Sequence, residues 1–139
     1  MPTFRNFTEI DAWQKARALT NAVYALSKNP SFSKDFGLRD QMRRASISIM
    51  ANIAEGFGRS GSAEFQQYLA IAKGSTCEVI SHLYVALDQG YINQQEFAQI
   101  NRLAEETVNL IGGLMRYIAR SNLKGAKFIG QKLSARKSL

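Results

Sequence analysis

The sequence predicts an all-α protein, an antiparallel up-down-up-down bundle of four helices. Three observations point there. Apolar residues recur at steps of three and four along four long segments, the spacing that lines one face of a helix. The chain holds 139 residues and 2 prolines, so little interrupts those segments. The connections between them are short, and short connections between long helices force antiparallel neighbours. No strand-like alternation competes. A chain of this length forms one domain and buries roughly two thirds of its unfolded surface, so it needs no disulfide or metal to hold it. Its 45% apolar and 21% charged residues are a globular composition.

The first helix is expected from about Glu9 to Ser27. Ala12, Ala16, Leu19, Val23 and Leu26 form its stripe, and Trp13 and Tyr24 widen it. Thr8 and Asp11 read as an N-cap pair. Asn29-Pro30 closes the segment, because a residue before proline avoids the α region. The second helix is expected from Leu38, after Gly37, to Gly56. Leu38, Met42, Ala45, Ile49 and Ile53 line it, while Ile47 and Met50 add a second apolar face. Gly56 and Gly58 stop it through the left-handed conformation that glycine tolerates.

The third helix spans Ser62 to Gln89, with Phe65, Leu69, Ala72, Thr76, Val79, Leu83 and Ala86 unbroken along one face and Gly90 as its C-cap. The fourth spans Gln94 to Ser121, with Asn93 and Glu96 as a capping pair. Phe97, Ile100, Ala104, Thr107, Ile111, Leu114 and Ile118 make its main stripe, and Leu103, Leu110 and Tyr117 a second. At 1.5 Å per residue these two helices are each roughly 40 Å long. Residues 1–121 thus form the bundle. Residues 122–139 read as a flexible basic tail, because Gly125 and Gly130 each cost a helix about 1 kcal/mol.

The net charge is +7, from 18 basic and 11 acidic residues. Such an excess suits nucleic acid or an anionic surface. The last acid is Glu106, and the acids up to it are cancelled by an equal number of cations. The whole excess therefore lies beyond it, on Arg116, Arg120, Lys124, Lys127, Lys132, Arg136 and Lys137. Arg39 and Arg43 share a face of the second helix, as Arg116 and Arg120 do on the fourth. These arginines and the tail cations are the candidate phosphate contacts, expected to gather in a stripe near one end of the bundle. Binding through them is sequence-independent and salt-sensitive. Tyr117 and Phe128 are the aromatics of the basic region, which supplies base stacking only thinly.

Other motifs read as structural. Gly56-Phe57-Gly58-Arg59-Ser60-Gly61 matches the dinucleotide fingerprint in letters. A helix rather than a strand leads into it, so it reads as an inter-helix turn. Arg59, Ser60 and Ser62 at the next helix start leave a weaker phosphate-binding reading. His82 and Cys77 are the sole residues of their types, too few for a zinc site, and no nucleophile has a visible base. No metal, cofactor or catalytic residue is expected, and the chain is not read as an enzyme. His82 pairs with Glu78 at i, i+4, and Cys77 packs within its helix. Glu55 and Asn52 sit on an apolar helix, where a carboxylate needs a partner. Arg44, Asn52, Glu55 and Glu78 are accordingly expected to form one inter-helix network that sets register. One cysteine, no membrane-length apolar run and a polar N-terminus indicate a cytoplasmic protein. Leu123, Phe128, Ile129 and Leu133 make a weak amphipathic pattern that the tail glycines undercut, so no membrane partner is expected.

Gln41-Met42-Arg43-Arg44-Ala45, Ser48-Ile49, Asn52-Ile53-Ala54-Glu55-Gly56 and Ala72-Lys73-Gly74-Ser75 carry a resemblance. From about Phe7 to Arg120 the chain resembles the small bacterial four-helix proteins encoded in intervening sequences of 23S rRNA genes. Relatives of those serve as accessory variability proteins of diversity-generating retroelements. The resemblance implies a ring-like homopentamer with a basic surface that binds nucleic acid without catalysis. It also implies, for accessory relatives, a reverse transcriptase and its RNA as partners. Arg44, Asn52, Glu55 and Gly56 fall within the matching motif. The second apolar faces of helices two and four agree with an oligomer, since a monomeric bundle needs one buried face per helix. The expected function is thus an oligomeric scaffold that binds RNA or DNA backbone. The alternative is an adaptor for a nucleic-acid enzyme such as a retroelement reverse transcriptase.

Overall fold

The structure, a computed structural model, describes the backbone of residues 4–134 and the side chains of residues 4–121. A 3-10 turn, Phe7–Glu9, leads into α1 (Asp11–Leu26), α2 (Pro30–Ser33), α3 (Phe36–Phe57), α4 (Ser62–Asp88) and α5 (Gln94–Ser134). The described residues contain no strand. The four long helices are those the apolar stripes predict. α1 packs on α3 and α5, and α4 packs on the same two, which makes a bundle around one core. Leu19, Val23, Met42, Ile49, Ile53, Leu69, Val79, Leu83 and Ile111 are fully buried in it. Each is worth about 2–5 kcal/mol against truncation to alanine.

The buried hydroxyls of this core have hydrogen-bond partners. The buried Thr20 hydroxyl lies 2.9 Å from the Ala16 carbonyl and 3.1 Å from the Ser46 carbonyl, joining α1 to α3. Ser48 and Ser75 share a hydrogen bond of 2.9 Å between α3 and α4. Gln66 donates to the Met115 carbonyl at 2.8 Å, and the Tyr84 and Phe97 rings lie 4.9 Å apart. The start of α4 therefore sits beside Met115 of α5, and its later turns sit beside Phe97.

Several helix ends differ from the sequence reading. Ile10 is the N-cap of α1 and makes no side-chain cap; Asn6 instead accepts from the Thr8 N–H. Thr8 and Asp11 are not a capping pair, because the preceding 3-10 turn claims that segment. α3 begins before Gly37, capped by Asp35, whose side chain accepts from the Leu38 N–H at 3.2 Å. α3 ends at Gly58 with φ of −75°, so no left-handed residue closes it. Gly56 is inside the helix for a different reason: a Cβ there would meet the Tyr68 Cβ at 2.7 Å. α5 continues past Ser121, since glycine lowers helix propensity without ending a helix.

Two ends follow the expected chemistry. Gly90, at φ +76°, follows the Gln89 cap of α4. Its N–H donates to the Leu87 carbonyl, and that of Tyr91 donates to Ala86, which is the Schellman pattern. Asn93 and Glu96 cap one another reciprocally at 2.8 and 2.9 Å to start α5. The short α2 was not predicted. Proline opens it, and its Phe32 is fully buried and stacked on Tyr91 at 5.4 Å. The Tyr91 hydroxyl donates to Asp35 at 3.0 Å, so one carboxylate caps α3 and also anchors the α4–α5 turn.

Candidate nucleic-acid interface

The predicted cations fall at two ends of the bundle rather than in one stripe. Arg39 and Arg43 lie on the early turns of α3, whose N-cap Asp35 bonds Tyr91 in the α4–α5 turn. Arg116 adjoins Met115, which sits opposite the start of α4. Helix length separates the pairs. Arg59, in the α3–α4 turn, falls on the same end as Arg116. The side chains of Lys124, Lys127 and Lys132, and Arg136 and Lys137 altogether, lie outside the described residues.

Arg39 and Arg43 are each held by neighbours. Arg39 donates through Nε to Asp40 at 2.9 Å and through Nη1 to the Ser33 carbonyl at 3.1 Å. Its guanidinium lies 4.9 Å from the Phe36 ring centre. Arg43 donates through Nε to the Ser27 hydroxyl at 2.8 Å and lies 4.6 Å over the Tyr24 ring. Guanidinium stacked on an aromatic face keeps its edge for hydrogen bonding. The Arg43 Nη atoms make no hydrogen bond among the described residues. At the opposite end Arg116 and Arg120 are exposed, and the Arg116 guanidinium lies back over Gly112 and Gly113.

The four residues expected to form one register network are not brought together within the protomer. Arg44 is exposed and makes no hydrogen bond or ion pair among the described residues. Asn52 donates to the Ser48 carbonyl and hydroxyl, and through Ser48 it joins the contact to Ser75. Glu55 is exposed rather than buried, so the desolvation argument for it fails. It pairs with Arg59 at 3.1 Å, and Arg59 also donates to the Tyr68 hydroxyl at 2.7 Å. The Tyr68 oxygen and the Glu55 carboxylate hold the Arg59 pKa above its ordinary value. Glu55 thus already neutralises Arg59 beside the glycine-rich turn, through Nη2. Glu78 pairs with His82 at 3.2 Å, as its spacing predicts. Cys77 is exposed, not packed. No three metal-ligating side chains gather among the described residues. None of the described helices is long and apolar enough to cross a membrane.

Large apolar side chains stand exposed at Phe36 and Ile47 on α3 and at Ile71, Tyr84 and Val85 on α4. A hollow of about 370 Å³ between α1 and α5 is lined by Ala22, Ala25, Leu26 and Ile100, with Asn29, Glu96 and Gln99 as its polar groups. Sequence reasoning missed the aromatic partners of the two arginines. Phe36 stands three residues before Arg39, a helical contact legible in the sequence. Tyr24 meets Arg43 across helices, which periodicity does not reveal.

Comparison with known proteins places this architecture. A family model described as 23S rRNA-intervening sequence protein matches residues 8–113. The chain belongs to that family. Among solved structures it is similar to a crystal structure of a protein with unknown function, assigned to the S23 ribosomal protein family, from Bacteroides thetaiotaomicron VPI-5482. The two are 25% identical, the match covers 75% of this chain and 97% of that chain, and the TM-score is 0.70. A search of curated proteins found no match. The part of this 23S rRNA-intervening sequence protein that matches the family includes Arg39, Arg43 and the Gly56 contact. Arg116, Arg120 and the later cations fall beyond it.

Proposed function

We propose that the chain is a non-enzymatic, oligomeric scaffold of the cytoplasm that binds RNA or DNA through the phosphate backbone. The charge of α5 carries this reading. No acid follows Glu106, and α5 runs on to Ser134, so the part of this helix beyond Glu106 bears Arg116, Arg120, Lys124, Lys127 and Lys132 and no carboxylate. The family takes its name from intervening sequences of 23S rRNA, which puts RNA in its setting. Thr20 with Ser46 and Ser27 with Arg43 step in opposite directions along α1 and α3, as do Gln66 with Met115 and Tyr84 with Phe97 along α4 and α5. This order supports the up-down-up-down topology.

Copies are proposed to assemble as a ring, the homopentamer that the resemblance implies, burying exposed Ile47 and Ile71. Repetition of a modest basic patch around such a ring raises avidity without new contacts. The same exposed apolar residues favour a second reading, an adaptor whose protein partner is a retroelement reverse transcriptase. A salt titration of single-stranded RNA binding tests the main reading. Log affinity should fall against log salt by about 0.7 for each phosphate neutralised. A flat response, or no binding at low salt, contradicts it.

A further inference from the structure

We propose that the corner where α1 ends, α2 turns and α3 begins is a single-strand site, with Phe36 as the surface on which a base stacks. The inference rests on the nucleic-acid reading above and adds a base contact and a preference for unpaired strands. An exposed phenylalanine by itself is ordinary. Phe36 differs in what surrounds it. It is 64% exposed, the most of the exposed large apolar residues, and Arg39 lies 4.9 Å from its ring centre. The guanidinium occupies part of the ring surface and leaves the rest to solvent.

The surrounding charge is arranged for an anion. The Arg43 Nε bonds Ser27, whose chain neighbour is Lys28; the Arg39 Nη1 bonds the Ser33 carbonyl, whose neighbour is Lys34. Lys28 and Lys34 thus follow in the chain the two residues that hold the arginines, and both lysines are exposed without an ion pair among the described residues. The acids of this corner are committed. Asp35 caps α3 and accepts from Tyr91, and Asp40 accepts from Arg39. The Arg43 Nη groups and the Arg39 Nη2 remain for phosphate oxygens. A cationic rim around an exposed aromatic face is the arrangement by which single strands are bound, the rim tracking phosphates and the ring stacking on a base. In a duplex the bases are stacked on each other, so only the rim would act.

The test compares the full chain with Phe36→Ala and Phe36→Trp by fluorescence anisotropy. The probes are single-stranded oligoadenylate, a duplex of matched length, and inorganic polyphosphate, which has the charge and no base. Phe36→Ala should weaken oligoadenylate binding roughly 5- to 100-fold. It should leave duplex and polyphosphate binding unchanged, and Phe36→Trp should restore the single-strand affinity. Light scattering and thermal melting should match the wild type, since Phe36 is largely exposed and is not one of the buried core residues. Unchanged oligoadenylate binding by Phe36→Ala overturns the proposal. So does an equal loss for polyphosphate, or a change in oligomer mass, which would make Phe36 a subunit contact. If the wild type binds none of the probes, the nucleic-acid reading itself fails.

Discussion

Gly56 sits where α3 and α4 approach most closely, facing Tyr68 and Phe65. A Cβ there would lie 2.7 Å from the Tyr68 Cβ, an atom fixed to its own helix backbone. Gly56→Ala should therefore cost about 1–3 kcal/mol, read as a lowered urea midpoint. Gly74, in the middle of α4, has nothing within 4 Å of its Cβ direction. Gly74→Ala should gain about 0.5–1 kcal/mol by helix propensity alone. A lower midpoint for Gly74→Ala would mean that another chain packs over it. Tyr91 gives a pH dependence. Its hydrogen bond to the Asp35 carboxylate, with burial and the nearby negative charge, raises its pKa above the ordinary value near 10. The protonated phenol is the form favoured by folding. Its stabilisation is complete below about pH 10 and is lost as pH rises through the raised folded pKa. The gap in melting temperature between wild type and Tyr91→Phe should thus narrow in alkaline buffer. A constant gap would show that the hydrogen bond is not what Tyr91 contributes.

At the level of elements, α5 runs on to Ser134. Ile118 is its last buried residue in the described part, and Met115 receives the cross-helix bond from Gln66. Removing everything after Asn122 should leave the melting temperature within a few degrees, because a change of about 1 kcal/mol moves it by roughly that much. The same removal should cost much of the RNA affinity at equal salt. Undiminished binding would transfer the role to the arginines of α3. The long helices were legible because their stripes are long and uninterrupted: Leu69, Ala72, Thr76, Val79, Leu83 and Ala86 are all buried as the spacing demands. α2 was not, since four residues have no period and Phe32 is placed by its contact with Tyr91. The candidate site was legible in part. The i, i+4 arginines were visible as pairs, but their separation to two ends depends on which helices face each other. Glu55 was misread as buried because only part of α3 faces the core, and its position looks outward to Arg59.

Across the whole molecule, a charge-balanced frame sets the Arg39–Arg43 and Arg116–Arg120 pairs at opposite ends and leaves apolar side chains exposed on α3 and α4. Ile47 and Ile71 expose about half of their surface, a cost to solubility unless a partner covers them. A ring of copies would meet that need and would repeat both basic ends around its axis. Local contacts hold the Arg39 and Arg43 guanidiniums in place, so little ordering is required there when a phosphate arrives. The most direct measurement is molar mass by light scattering, with and without a short single-stranded RNA. The account predicts a mass several times the 15.5 kDa of one chain, and a further increase when RNA is added. A mass of one chain, unchanged by RNA, would contradict it.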